Sequence, residues 1–457
     1  MKNIGAVHSE VQGGDAGGLA RASSAESTKA APFVAWGIVG LLLTLNILSL
    51  FDRHLMSLMI NDIKIDLGIG DFHIGLLYGL AFALFHTIGT LPFGWAIDRF
   101  NRPRIIYLGV AIWSIATMAH AFARNFTMFF AARALVGAGE AALTPGSQSL
   151  IASTFPRHRL ALPMAIYSLG FKVGAGVSML LGGVLLTLIS PGADYFLPLF
   201  GSIRGWQLVF LLGGAPGLLV GLIVFLVPER RERRAAAVTS DDAGYGAYWR
   251  FARRHLRFLL PHHLALLPLA MVMFSVQVWS PAFLSRVHGW TPQHIGYSLG
   301  LTFTVATLIS LPIHGLIVDR LFHRGMKDAH LRYMMAALLI GTPVGIAGYF
   351  APTPELTVLL LGLFLVIVGG YATLPATALQ IVVPEPFRGK AASVMAALVG
   401  VFSAGLGPMV VGFLTDRVFG DPSLVGCSIS LCMFVGLPLS ALIYVVTLKP
   451  MRLIISK

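Results

Sequence analysis

The chain has 457 residues, 56% of them hydrophobic and only 12% charged, with a formal net charge of +13. So much apolar surface exceeds what one soluble core can hide, which excludes a soluble multidomain protein and makes the bilayer the expected solvent. Cys427 and Cys432 share one apolar run without metal-ligand spacing and read as packing residues.

Residues 1–33 are rich in Gly, Ala and Ser with scattered charges. They read as a disordered cytoplasmic tail rather than a cleaved signal peptide, because the first long apolar run begins only after them. Twelve predicted spans follow, at 34–60, 74–97, 105–123, 126–154, 160–189, 205–227, 262–285, 293–318, 331–350, 356–382, 390–415 and 424–448. Each is long enough to cross ~30 Å of hydrocarbon as a helix. The longest polar stretch, 228–261, contains Arg230, Arg231, Arg233, Arg234, Arg250, Arg253, Arg254 and Arg257. It divides the chain into a six-helix bundle over 34–227 and another over 262–448, with a short tail at 449–457.

Charge distribution sets the expected topology. Loops that follow even-numbered spans hold nineteen Lys and Arg, counting Arg332 at the foot of span nine and Lys390 at that of span eleven, whereas those after odd-numbered spans hold Lys64, Arg124, Arg204, Arg286 and Arg417. Basic residues stay on the cytoplasmic side, so both termini are expected there. The basic excess is thereby explained, and nucleic acid is excluded as a partner.

An internal echo points to two homologous halves. Gly94-Trp-Ala-Ile-Asp98-Arg99 ends span two, and Gly315-Leu-Ile-Val-Asp319-Arg320 ends span eight, about half a chain later. A third copy, Gly412 to Arg417, ends span eleven on the opposite side of the membrane.

The run Gly94-Trp-Ala-Ile-Asp98-Arg99-Phe-Asn-Arg102-Pro-Arg104 resembles the loop 2–3 signature of major facilitator carriers. Within that superfamily, Asn46-Ile-Leu-Ser-Leu-Phe-Asp52-Arg53 in span one and Arg133-Ala-Leu-Val-Gly137-Ala-Gly139-Glu140-Ala in span four are similar to the spinster-like lipid carriers and to the anion:cation symporters. Phe51 and Lys172 depart from the eukaryotic spinster pattern. The resemblance implies an all-α membrane protein of twelve helices in two pseudo-symmetric bundles, a secondary transporter in the inner membrane that acts as a single chain. It also implies gating by Gly94, Asp98, Arg99 and Arg102. Asp98 is expected to bond backbone at a neighbouring helix terminus, while Arg99, Arg102 and Arg104 meet acids on the other half.

Charges inside the spans narrow the site. A mid-membrane charge costs roughly 2.5–3.5 kcal/mol, so it persists only where a partner or a function compensates. Outside loops and tails the chain has Asp52, Arg53, Arg133, Glu140 and Lys172, all in the first half. Asn46, Ser49, Arg53 and Ser57 recur at helical spacing and form a polar stripe expected to face a cavity, with Asp52 about one hundred degrees from Arg53. Arg133, Gly137 and Glu140 share one face of span four, the glycine permitting close helix approach.

A carboxylate in a dry cavity beside a guanidinium feels desolvation and attraction in opposition, which brings titration toward physiological pH. Glu140 with Asp52 is therefore expected to load and release a proton, with Arg53 and Arg133 pairing with them or with substrate. The alternative is a permanent lock between spans one and four. Lys172 lies about two hundred degrees from Gly170 and Gly174 in span five, facing the cavity on this reading, where a carboxylate solute would be its partner. Snorkelling, or pairing with Glu140, is the alternative.

Gln277, Trp279, Thr302, Thr304, Thr307, Tyr371, Thr373, Gln380 and Ser403 are candidate linings from the second half, each more simply explained by packing. His86, His120 and His314 read as buried neutral histidines rather than a proton relay. No phosphate-cradling glycine loop is present, since Gly389-Lys390 is followed by Ala391, so neither ATP nor another cofactor is expected. Span-borne Ser, His and Cys form no catalytic constellation, and the chain reads as a transporter rather than an enzyme. The expected cargo is a small organic anion moved with H⁺, with a lysolipid, sphingoid or other amphipath as the alternative.

Overall fold

A computed structural model describes residues 32–156, 159–198, 201–228 and 245–455. The tail expected at 1–33 and Arg230, Arg231, Arg233 and Arg234 lie wholly or largely outside the described residues.

Among the described residues 11 helices are long and apolar enough to cross a membrane, and 12 when two segments of span five, bent by 48° about Lys172, are joined. In order the spans are Phe33–Leu58, Asp71–Arg99, Arg102–Phe122, Phe126–Thr154, Ala161–Leu188, Gly205–Leu226, Leu256–His288, Pro292–His323, Ala329–Tyr349, Pro354–Val382, Glu385–Phe419 and Pro422–Ile455. Span seven begins at Leu256 and span two at Asp71, both earlier than their apolar runs. Intrahelical hydrogen bonding carries a helix beyond the hydrocarbon, whereas hydropathy marks only the part inside it.

Local sequence explains the ends. Asn101, Asn125, Thr291 and Thr353 each accept a hydrogen bond from backbone N–H in the first turn that follows, and Gly68 and Gly289 close helices in the left-handed conformation. A short antiparallel pair of strands, Asp194–Leu197 with Gly201–Arg204, lies between spans five and six. Within the central stretch, Tyr245–Arg254 is helical, and its Tyr248 and Phe251 rings meet Phe387 at the start of span eleven.

An even number of spans places the start of span one and the end of span twelve on one side, called here the terminal side, and the opposite face is the far side. Spans one to six and seven to twelve form two helical bundles. Between them span two packs on span eleven, span five on span eight, and span one on span seven.

Spans two and eleven are both interrupted where they meet. Span two breaks at Gly79, and span eleven widens into π-helical turns over Val399–Gly405 and Leu414–Phe419. A Cβ on Gly79 would collide with the carbonyl oxygen of Gly405, so only glycine allows the two breaks to face each other.

Candidate functional site

The intramembrane charges of the first half converge from spans one and four. Arg53 donates through Nη2 to Oε2 of Glu140, forming an ion pair, and its Cζ lies 3.8 Å from the centroid of the Phe82 ring. The Arg53 side chain is 25% exposed and Glu140 only 2%. The arginine is thus the accessible member, held between an aromatic face on span two and a carboxylate on span four.

Asp52 and Arg133 depart from the expected pairing. Neighbouring side chains on a helix diverge by about 100°, so Asp52 turns toward span three while Arg53 turns toward spans two and four. Asp52 accepts a hydrogen bond from the Thr117 hydroxyl at 2.8 Å, and its Oδ1 is buried without a partner. Arg133 is enclosed, with Nη2 2.7 Å from the Met56 sulfur and Cζ 5.7 Å from the Tyr78 ring centroid. Its Nε and Nη1 have no hydrogen-bond partner, and among the described residues no carboxylate pairs with it. A buried guanidinium so placed retains capacity for an anion.

The polar stripe of span one is mostly buried, Arg53 apart. Asn46, Ser49 and Ser57 are buried, and the two hydroxyls donate to the backbone of their own helix, at Asn46 and His54. Span five covers the stripe, because a Cβ on Gly170 would press on Leu43 and Asn46 and one on Gly174 on Leu50. Arg53 alone in that stripe keeps access. Gly137 does allow close approach, but to span two at Phe82 and His86 rather than to span one. Lys172 sits in span five, and its side chain lies outside the described residues.

The two halves are joined at the far side by residues that fall outside the apolar runs. Arg286, at the end of span seven, donates to both oxygens of buried Asp71 at the start of span two, at 2.6 and 2.8 Å. It also donates to Asn61 at 2.8 Å, while Lys64 reaches Asp71 at 2.9 Å. Asp416 in span eleven accepts from the backbone N–H of Phe72 at 2.8 Å. Among the described residues, the hydrogen bonds and ion pairs joining the halves all involve this far-side group. A sequence signal did exist: Lys64 and Arg286 are among the few cations after odd-numbered spans, where the topology rule gives them no reason to be.

The three copies of the Gly–Asp–Arg motif differ accordingly. Asp98 and Asp319, at the terminal side, are exposed, and among the described residues their carboxylates make no hydrogen bond or ion pair, unlike the bond expected of Asp98. No heavy atom comes within 4 Å of a Cβ built on Gly94 or Gly315. Arg99 lies over the Trp95 ring at 4.9 Å, and Arg102 opens span three behind the cap made by Asn101. Asp416, in the third copy, makes the contact with a helix start that was expected of Asp98. Among the described residues, the hydrogen bonds between the halves lie at the far side, where Asp416 meets its partner.

Two of the second-half candidates, Trp279 and Ser403, are structural. Trp279 is buried and donates to the Pro408 carbonyl at 2.9 Å, and buried Ser403 donates to that of Leu267. His314 uses both ring nitrogens, toward the Tyr333 hydroxyl and the Val366 carbonyl, and braces spans eight, nine and ten. His120 stacks on Phe210 inside the first bundle. Gln277, Thr302, Thr304, Thr307, Tyr371, Thr373 and Gln380 are half-buried.

The family model of the Major Facilitator Superfamily matches residues 41–408. The chain belongs to this superfamily. It is 27% identical over 391 residues to an MFS-type efflux pump of Mycolicibacterium smegmatis, covering 85% of this chain and 86% of that protein. A D-galactonate transporter of Escherichia coli is 24% identical over 400 residues, with 82% and 87% covered. Among solved structures, a bacterial homolog of the human lysosomal transporter Spinster, in an inward-facing and unoccupied conformation, superposes with a TM-score of 0.77 at 23% identity, covering 93% of this chain and 99% of that one. The protein is therefore a major facilitator transporter of small-molecule solutes and not an enzyme.

Proposed function

We propose that this major facilitator protein is a proton-coupled transporter of small organic anions, carboxylate-type solutes, working by alternating access as a single chain in the inner (plasma) membrane with its terminal side in the cytoplasm. The observation that carries the reading is the Arg53–Glu140 ion pair beside Arg133, a buried guanidinium without a carboxylate partner. Asp52 and Glu140 balance Arg53 and Arg133 when all four are charged. A proton taken up by Glu140 removes its charge, releases Arg53 and leaves the cluster net positive, and a solute carboxylate restores neutrality. Proton and anion then bind cooperatively.

Lys172 is the proposed third cationic contact, and Asp52 the second proton-coupling carboxylate. In the alternate state the Arg286–Asp71 and Asp416–Phe72 contacts part, while Asp98, with Gly94 giving room, engages at the terminal side and Arg99 and Arg102 exchange partners there. The likeness to a D-galactonate transporter supports the choice of cargo.

One feature favours the amphipath alternative. An apolar groove of ≈ 370 Å³ runs between spans seven, eleven and twelve, lined by Pro268, Met271, Gly407, Val410, Val435 and Leu439, and its rim residues Val435 and Leu439 are exposed. A lysolipid tail fits such a groove, and a sugar acid does not.

The test is internal pH in dye-loaded proteoliposomes to which D-galactonate, and separately a lysolipid, is added, with wild type beside Glu140→Gln. Proton movement evoked by the sugar acid and absent in the variant is expected. Movement evoked by the lysolipid alone would favour the amphipath reading, and labelled-solute uptake without proton movement would defeat the coupling role of Glu140.

A further inference from the structure

A second cluster of charge lies far from the transport site, at the terminal-side foot of spans nine and twelve. There Arg324, Lys327, Arg332, Lys449 and Arg452 surround a cavity of ≈ 690 Å³, with Asp328 as the carboxylate among its lining residues. The Asp328 side chain is 2% exposed and forms ion pairs with Arg332, Nε at 3.0 Å, and Arg452, Nε at 3.1 Å. It therefore fixes two guanidinia from different spans, each about half exposed, at the wall of the cavity. Arg324, Lys327 and Lys449 are exposed, and among the described residues their side chains have neither an ion pair nor a hydrogen bond.

The surroundings show which anion the cavity suits. Span nine packs against span twelve, and both present apolar residues to the outside directly above the cations. On span nine Leu339 and Ile340 are 55% and 59% exposed, two turns beyond Arg332. On span twelve Leu442 and Val446 are 67% and 62% exposed, leading down the same face to Lys449. These stripes extend about 10 Å from the basic rim, at 1.5 Å rise per residue. A soluble anion has no use for them, whereas acyl chains do.

We propose that this pocket binds the phosphate-bearing headgroup of an anionic phospholipid, with the acyl chains along the exposed stripes of spans nine and twelve. Retention of basic residues for topology alone explains cations on this side, but not their convergence on one concave site around a buried carboxylate. The site is independent of the transport cluster, and bound lipid would brace span nine against span twelve within the second bundle.

The experiment is native mass spectrometry of the purified full chain in neutral detergent, titrated with dioleoyl phosphatidylglycerol, dioleoyl phosphatidylcholine or inorganic phosphate. Phosphatidylglycerol is expected to bind at least about tenfold tighter than phosphatidylcholine, and Arg324→Gln/Lys327→Gln/Lys449→Gln is expected to erase that preference. If the triple variant fails to fold, Lys449→Gln beside the charge-retaining Lys449→Arg decides, since only the former is expected to weaken the preference. An unchanged preference in the variants would overturn the site. Inorganic phosphate that binds as tightly as phosphatidylglycerol, or displaces it at equal concentration, would overturn the lipid assignment in favour of a soluble anion.

Discussion

Asp416 of span eleven accepts a hydrogen bond from the backbone N–H of Phe72 at 2.8 Å, so a carboxylate of the second half caps the first turn of span two in the first half. That turn has no side-chain cap of its own, since Gly70 precedes it, and a Cβ on Gly70 would strike the Asp416 carboxylate. A charged acceptor at a helix start meets both an unpaired N–H and the positive end of the helix dipole.

Asp416→Ala removes this cap and is expected to shift the protein toward a far-side-open state. A hydrogen bond to a charged group contributes about 1.5–3 kcal/mol, enough to change the population ratio roughly tenfold or more. Spin labels placed across the far-side ends of spans two and eleven would report longer distances by pulsed electron resonance. Distances identical to wild type would show that Asp416 is not part of the closure.

Arg286→Lys keeps the charge beside Asp71 but cannot make the paired contact or reach Asn61 at the same time. Arg286→Ala goes further and leaves Asp71, whose side chain is 0% exposed, with Lys64 as its cation. Losing one member of a buried pair costs about 3–5 kcal/mol, so a lower unfolding temperature is expected in the order wild type, lysine, alanine. Thermal unfolding in detergent checks the order.

Arg133→Met separates transport from architecture. Because Arg133 makes no ion pair among the described residues, replacing it by an apolar side chain of similar length is expected to lower the unfolding temperature far less than Arg286→Ala does. Uptake of labelled organic anion is expected to fall to the liposome background. A strongly destabilised variant would mean that Arg133 holds spans one and four together instead.

Gly300→Val tests the contact between spans five and eight. A Cβ at Gly300 would lie 2.7 Å from the backbone nitrogen of Leu180 and 2.8 Å from the Gly176 carbonyl, too close for either helix to remain in place. The variant is expected to insert and fold but to expose a cysteine placed at Gly183 to a membrane-impermeant thiol reagent from the far side. Protection equal to that in the glycine background would refute the contact.

Much of this protein is legible in its sequence because the bilayer constrains it so simply. Apolar runs locate the spans, since backbone and side chains in hydrocarbon must be helical and apolar, and the rare charges inside those runs single out Arg53, Arg133 and Glu140. Helical spacing also foretells that span four meets span one through Arg133 and Glu140.

What the tertiary structure alone decided is which charge meets which, and at which end the halves touch. Asp52 turns to Thr117, the span-one stripe is covered by span five, and Gly137 serves span two, because one helix face can meet any of several neighbours and spacing does not choose among them. Asp71, Arg286 and Asp416 are brought together from positions that read as separate loop ends. Hydropathy records each residue's preference for water or lipid, but a pair between halves depends on how two bundles lean against each other, a relation that no local pattern encodes.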